Sequence, residues 1–286
     1  MLLGTEKEGK IVKSKGYLRS RLQKGLVLLS AVLVLGVLIA LVAYILIKGV
    51  PHLRAGLFAW NYSTENLSLL PALLNTLSTV LLTLFLAVPA GVGGAVYLVE
   101  YAPRGSRGVK LIRTMAETLS GIPSIVYGLF GFLLFVLTCS LGYSLLSGAL
   151  TLAIMVLPTI LRTTEEALLA VPDSYREGSF GLGAGKLRTI FRIVLPAAMS
   201  GISSGIVLAT GRIVGETAAL IYTAGTVTGR AGSLMESGRT LAIHLYCLLN
   251  EGFYMDEAYA TAVVLLFLVV GINFLAGLLA RGLAKR

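Results

Sequence analysis

Glu177-Gly178-Ser179-Phe180-Gly181-Leu182-Gly183-Ala184-Gly185-Lys186-Leu187-Arg188-Thr189-Ile190-Phe191-Arg192-Ile193-Val194-Leu195-Pro196 lies between two apolar stretches of a 286-residue chain that is 56% hydrophobic and 13% charged. A soluble domain carries about 25% charged residues, so the flanks read as membrane spans and this segment as a polar excursion out of the lipid. Its pattern is helix, turn, helix. Pro172 stops the preceding apolar run, Asp173 or Ser174 is placed to cap a short helix, and Glu177 sits near that helix's positive end. Gly181, Gly183 and Gly185 then give a tight turn. Leu187, Ile190, Phe191 and Val194 recur at i, i+3, i+4 and i+7, the stripe of a second amphipathic helix, with Lys186, Arg188 and Arg192 off it. Such a knob can be gripped by a partner while its ends stay in the bundle.

Working outward, six stretches are apolar enough to span, since about 17–25 residues cross the hydrocarbon. They are Gly25–Ile47, Leu73–Tyr97, Leu119–Leu137, Leu145–Leu161, Met199–Leu220 and Tyr259–Leu279. The first holds twenty-three residues without a charge and lacks a small-residue cleavage site, so it reads as an uncleaved span. The fold class is therefore an all-α polytopic membrane protein with six transmembrane helices. Nineteen of the 24 Lys and Arg fall in the two tails and the second-to-third and fourth-to-fifth connections. That asymmetry puts both termini, and the 177–196 segment, in the cytoplasm. The net charge of +10 is thus a topogenic signal; it excludes no lipid attraction of the N-terminal tail, and it does not describe a nucleic-acid surface. The exterior connections are residues 48–72, 138–144 and 221–258, the last with an apolar patch at Leu241–Leu249 that suits a short helix against the bundle mouth.

Catalytic chemistry finds little support. His52 and His244 are far apart, and Cys139 and Cys247 have no metal-like spacing; two free thiols or an incidental pair are both open. A membrane-embedded enzyme would need a nucleophile, an acid–base pair or a metal cluster, and the one acid inside a span is Glu216. Gly181–Lys186 imitates a phosphate-binding loop, but Phe180 stands where its first Gly belongs and Leu187 where Ser or Thr belongs. The segment is therefore not read as a nucleotide site. The charged feature that remains is Arg212-Ile213-Val214-Gly215-Glu216-Thr217 in the fifth span. On a continuous helix Arg212 and Glu216 share one face, either as an internal ion pair or as the lining of a pathway. An Arg near a helix centre costs about 2.5–3.5 kcal/mol by insertion scales, and its fork of donors suits an oxyanion. Thr217 offers a hydroxyl to the same ligand or to its own backbone.

Glu177, Gly183, Ile193, Leu195 and Pro196 carry a spacing that resembles the EAA loop of bacterial ABC importer permeases, with Gly178 and Ser179 in place of the two alanines. The resemblance narrows at Gly215-Glu216-Thr217-Ala218 after an Arg, at Ser120–Gly131, at Leu86–Gly91 with Glu100-Tyr101, and at Ser237–His244. These are similar to phosphate-specific transport permeases of the PstA type, over roughly residues 70–280. The resemblance implies a type I (MetI-like) bundle in the bacterial inner membrane. A basic tail would cover 1–24, a first helix 25–47, the importer transmembrane domain 70–281 with a coupling loop at 173–196, and a short tail 282–286. It implies a PstC-type sister permease, a PstB-type ATPase dimer that binds the ATP and Mg, a PstS-type phosphate-binding protein, and inorganic phosphate as cargo passing Arg212, Glu216 and Thr217. No cofactor is expected on this chain. Sulfate, molybdate or a phosphonate is the alternative cargo, since one Arg recognises many oxyanions.

Overall fold

The computed structural model describes the backbone of residues 5–284 except Arg104, and the side chains of Ser20 and of residues 23–278 except Arg104. The basic residues Lys7, Lys10, Lys13, Lys15, Arg19, Arg21, Arg104, Arg281, Lys285 and Arg286 lie outside the described side chains. Among the described residues the regular elements are all helical. Helix α1 (Thr5–Gly49) carries the first span, and α2 (Leu70–Val96) continues through a widened turn to Tyr101. Then come α3 (Arg107–Ser120), α4 (Ser124–Gly131, extended by a widened turn to Thr138), α5 (Leu145–Leu169) and α6 (Asp173–Gly181). Helix α7 (Lys186–Thr189) runs through a widened turn into α8 (Leu195–Gly215); α9 (Ala218–Ile221), α10 (Leu241–Glu251) and α11 (Met255–Ala284) complete the chain.

Among the described residues five helical runs are long and apolar enough to cross a bilayer: Gln23–His52, Leu70–Tyr101, Leu145–Leu169, Lys186–Gly215 and Met255–Leu278. The remaining apolar pair is bent: α3 and α4 turn by 103°, the geometry of a broken span or of a re-entrant loop. The expected straight span Leu119–Leu137 is thus corrected. Gly121 and Pro123 end the helix, because Pro123 cannot donate an N–H and biases the residue before it away from helix. The amphipathic α3 is left to one side, tied to α5 by Arg113 Nε donating to Glu165 Oε1 at 2.7 Å. Two other spans move as well. Helix α5 continues past Leu161 to Leu169, and the fifth span starts at Lys186 and ends at Gly215 rather than running Met199–Leu220.

The core is where α2, α5 and α8 meet. Val80, Ala87, Leu152, Met155, Val156, Ile160, Ala209, Ile213 and Val214 pack there with Tyr127 of α4 and Leu220 of α9. In lipid this packing, not water exclusion, drives helix association. Several buried hydroxyls are satisfied within their own helices, as where Thr76 and Thr79 donate to the carbonyls of Ala72 and Asn75 at 2.7 and 2.8 Å. Helix α1 exposes its apolar length and docks at its end, where the Tyr44 and Tyr259 hydroxyls lie 3.1 Å apart.

The connections gather at two ends. Residues 50–69 and 222–254 share one end, where Asn75 donates to the carbonyls of Gly229 and Arg239 and accepts from Ala231 N–H. The apolar patch at Leu241–Leu249 does form a helix, α10, and buries Leu241, Ile243 and Leu248. The turn between α6 and α7 lies at the other end.

Candidate functional site

At that second end, α6 and α7 form the arms of the knob. Gly183 closes the turn with φ +80°, a conformation that side chains with a Cβ resist, and its N–H donates to Phe180 O at 2.9 Å. Inside the turn the Ser179 and Thr189 hydroxyls meet at 2.8 Å and are buried. The N-cap position of α6 is taken by Pro172, which has no capping side chain, and not by Asp173 or Ser174 as expected; Asp173 falls in the first turn, where its charge complements the helix dipole. The expected stripe also divides. Ile190 and Val194 are buried, but Leu187 and Phe191 are exposed and join Tyr175, Phe180 and Leu182 (91% exposed) as an apolar rim. Four contacts hold the base. Arg176 Nε and Nη2 donate to Glu100 Oε1 at 3.0 and 2.8 Å, and its nitrogens also donate to the carbonyls of Leu168 and Val171 at the end of α5.

Of the five spaced positions, Glu177 is exposed on α6 and Gly183 makes the turn. Ile193 and Leu195 are half-buried, and Pro196 is exposed at the start of α8. Only Leu195 separates the widened turn Ile190–Val194 from that proline, which lacks an N–H and crowds the carbonyl four residues back. From Lys186 to Gly215 the helical run is otherwise uninterrupted.

Arg212 lies in the last turn of this run, half-exposed. The helix then breaks. Glu216 is extended (φ −73°, ψ 129°), and α9 resumes at Ala218. The expectation that Arg212 and Glu216 share a face of one continuous helix is therefore corrected. Gly211 and Gly215 weaken the helix, and the Glu216 carboxylate takes the Ala219 N–H at 3.1 Å, which caps α9 instead. Among the described residues no ion pair joins Arg212 to Glu216. The cation thus sits at the negative end of α8 and the anion at the positive end of α9, each in the favourable field of its own helix. Thr217 is half-exposed, and its hydroxyl is directed at Gly215 O, 3.4 Å away.

Two neighbours escaped the sequence reading. Gly128 of α4 packs so closely on α9 that a Cβ there would stand 2.8 Å from Ala219 Cα, which brings the Ser120–Gly131 stretch against Glu216–Ile221. Asn273 of α11 faces Gly211, one residue before Arg212, and its Oδ1 is buried without a partner. The signal for Asn273 was a lone amide inside an apolar run. For the Arg176–Glu100 pair there was none, since 76 residues separate the two. Cys139 and Cys247 are free thiols, and no metal-ligand cluster occurs among the described residues.

Residues 87–286 match the family model described as binding-protein-dependent transport system inner membrane component. The chain is 34% identical to the probable ABC transporter permease protein YqgI of Bacillus subtilis (strain 168), over 93% of this chain and 96% of the relative. It is 37% identical to the phosphate transport system permease protein PstA of Mycobacterium leprae (strain TN), over 75% and 71%. In fold it is similar to a chain of the inward-facing MetNI methionine ABC transporter, with TM-score 0.61, 22% identity and coverage of 75% and 95%.

Proposed function

Because this chain belongs to the inner-membrane components of binding-protein-dependent transport systems, we propose that it is the PstA-type half of an ATP-driven phosphate importer. As a permease subunit it is not itself an enzyme, and it is a multi-pass inner-membrane protein. The observation that carries the substrate class is the broken helix: Arg212 ends α8 half-exposed, with no carboxylate paired to it among the described residues. A guanidinium so placed offers paired donors to an oxyanion. The likeness to a PstA permease supports phosphate within that class. Glu216 and Thr217 flank the same gap. The neighbouring carboxylate weakens net attraction, which favours release of the anion.

Both termini and the knob face the cytoplasm in this reading, as the Lys and Arg distribution favours. A PstC-type permease supplies the other half of the pathway, and a PstS-type protein delivers phosphate from outside. The nucleotide sites, with ATP and Mg, belong to a PstB-type ATPase dimer gripping Glu177, Gly183 and the exposed rim. Movement of the knob reaches the pathway through a single rod. The helical run from Lys186 to Arg212 is about 40 Å long at 1.5 Å per residue, with the knob at one end and the guanidinium at the other. Ile193, Leu195 and Pro196 form the joint where the rod enters the bundle.

The test is uptake of labelled phosphate by the complex reconstituted with these partners. Unlabelled phosphate is expected to compete, and sulfate and molybdate to compete poorly. Failure of unlabelled phosphate to compete overturns the substrate assignment.

A further inference from the structure

A second cationic group, which the pathway reading does not use, lies at the bundle end opposite the knob. Arg239, in the segment leading into α10, is only 3% exposed. Its Nε and Nη2 are buried without hydrogen-bond partners, and among the described residues no carboxylate pairs with it. These two nitrogens are neighbours on one edge of the planar fork, the edge that takes two oxygens of one anion in parallel. The face of the guanidinium is already occupied, stacked 4.8 Å over the Tyr62 ring. Stacking fixes the plane and leaves the edge donors unsatisfied.

The surroundings repeat the deficit. Thr240 is 2% exposed with Oγ1 unpartnered, and His244 is fully buried with neither ring nitrogen in a hydrogen bond of normal geometry. The His244 ring stands edge-on to the same Tyr62, centroids 6.3 Å apart. A buried cation without anion or acceptor is one of the costlier arrangements a protein can hold. The backbone here is pinned: Arg239 N–H donates to Val227 O at 2.9 Å, Asn75 donates to Arg239 O, and Leu241 N–H donates to Thr76 Oγ1 at 2.8 Å. Thr240 is also the N-cap residue of α10, whose positive end favours an anion, and its hydroxyl is not used as a cap.

We propose that the free edge of Arg239, with Thr240 Oγ1 and His244, is an outer binding site for a tetrahedral oxyanion of the phosphate class, distinct from the Arg212 position. The choice of phosphate rests on the reading of the chain as a phosphate permease. Burial, and then the charge of Arg239, push His244 down to about 3 against a smaller opposing pull from the Leu67 backbone. Its ring is therefore neutral, and with its N–H turned to Leu67 the other nitrogen adds an acceptor to the donors of Arg239 and Thr240. Hydrogen phosphate matches that set, because it carries acceptor oxygens and an O–H. A carboxylate from another chain brings acceptors alone.

The test uses the assembled membrane complex without its binding protein, in phosphate-free buffer, with labelled inorganic phosphate as the probe. Wild type is expected to bind phosphate at a site that Arg239→Met weakens at least about tenfold and that Arg212→Ala retains. Added phosphate raises the thermal midpoint of wild type and leaves Arg239→Met unmoved. Without phosphate, Arg239→Met unfolds no earlier than wild type, since it removes an unpaired buried cation. Arg239→Lys keeps the charge without the fork and also binds weakly. Thr240→Val, which leaves the guanidinium in place, weakens binding about several-fold by loss of one hydrogen bond. The proposal is overturned if wild type neither binds labelled phosphate nor gains stability from it, if Arg239→Met and Thr240→Val both bind as wild type does, or if acetate stabilises as well as phosphate. Binding that persists in a complex with no phosphate uptake leaves this site standing and removes the cargo reading instead.

Discussion

Arg212 shows how a residue's meaning depends on the backbone after it. On a continuous helix it faces Glu216 one turn away, and an internal ion pair is a complete explanation. With the helix broken at Glu216, the carboxylate is engaged at Ala219 N–H and the guanidinium ends α8 half-exposed. Arg212→Ala is therefore expected to leave the assembled complex intact and to lower phosphate uptake about a hundredfold, the upper range for losing a charge-assisted hydrogen bond. Uptake by a correctly assembled variant at the wild-type rate would reduce Arg212 to a packing residue. Asn273 and Arg239 were invisible at this scale. A polar residue in sequence does not reveal whether its partner is water, protein or nothing, and only burial without a hydrogen bond marks it out.

At the scale of elements, the 173–196 segment was legible as two short helices about a glycine turn, because prolines, glycines and apolar spacing act locally. Which apolar residues face out was not legible. Leu187, Ile190, Phe191 and Val194 lie on one stripe of an ideal helix, yet across the widened turn Ile190 and Val194 are buried, Val194 against Ala95 and Leu168, and the other two are exposed. The exposed pair completes the rim that an ATPase partner is proposed to grip. Gly183 at φ +80° is the most sensitive point, since proline fixes φ near −65°. Gly183→Pro is expected to abolish uptake while ATP hydrolysis by the complex continues without stimulation by substrate. Uptake and stimulated hydrolysis both preserved would show that this turn is not the contact. The third span teaches the complementary lesson. Composition gave one apolar run from Leu119 to Leu137, and the Gly121–Pro123 turn cuts it near its start, leaving the apolar part to α4 and setting the amphipathic α3 at 103° to it.

For the molecule as a whole, one buried group sets a pH limit on stability. His244, in α10 outside the spanning helices, is held down to about 3 first by burial and then by Arg239. The unfolded chain takes up a proton near pH 6.5 and the folded chain does not. The contribution is therefore intact above pH 6.5 and is lost as the pH falls toward 3, amounting to about 2 kcal/mol by pH 5 at 1.36 kcal/mol per unit. In phosphate-free buffer the thermal midpoint of the complex is expected to fall across this window, and His244→Gln to flatten the fall. An unchanged slope in that variant would assign the acid limit elsewhere.

By itself the sequence determined that this is a helical membrane protein, roughly where its spans lie, and that it carries the spacing of an importer permease. Those properties depend on hydrophobicity, charge asymmetry and local turn chemistry, each written within a few consecutive residues. Only the tertiary structure decided that Glu216 caps α9, that Arg176 anchors the knob to Glu100, that the third span is bent, and that Arg239 is buried with its edge unpaired. Each of these depends on which groups meet across the bundle, and a meeting between residues far apart in the chain leaves no trace in local pattern.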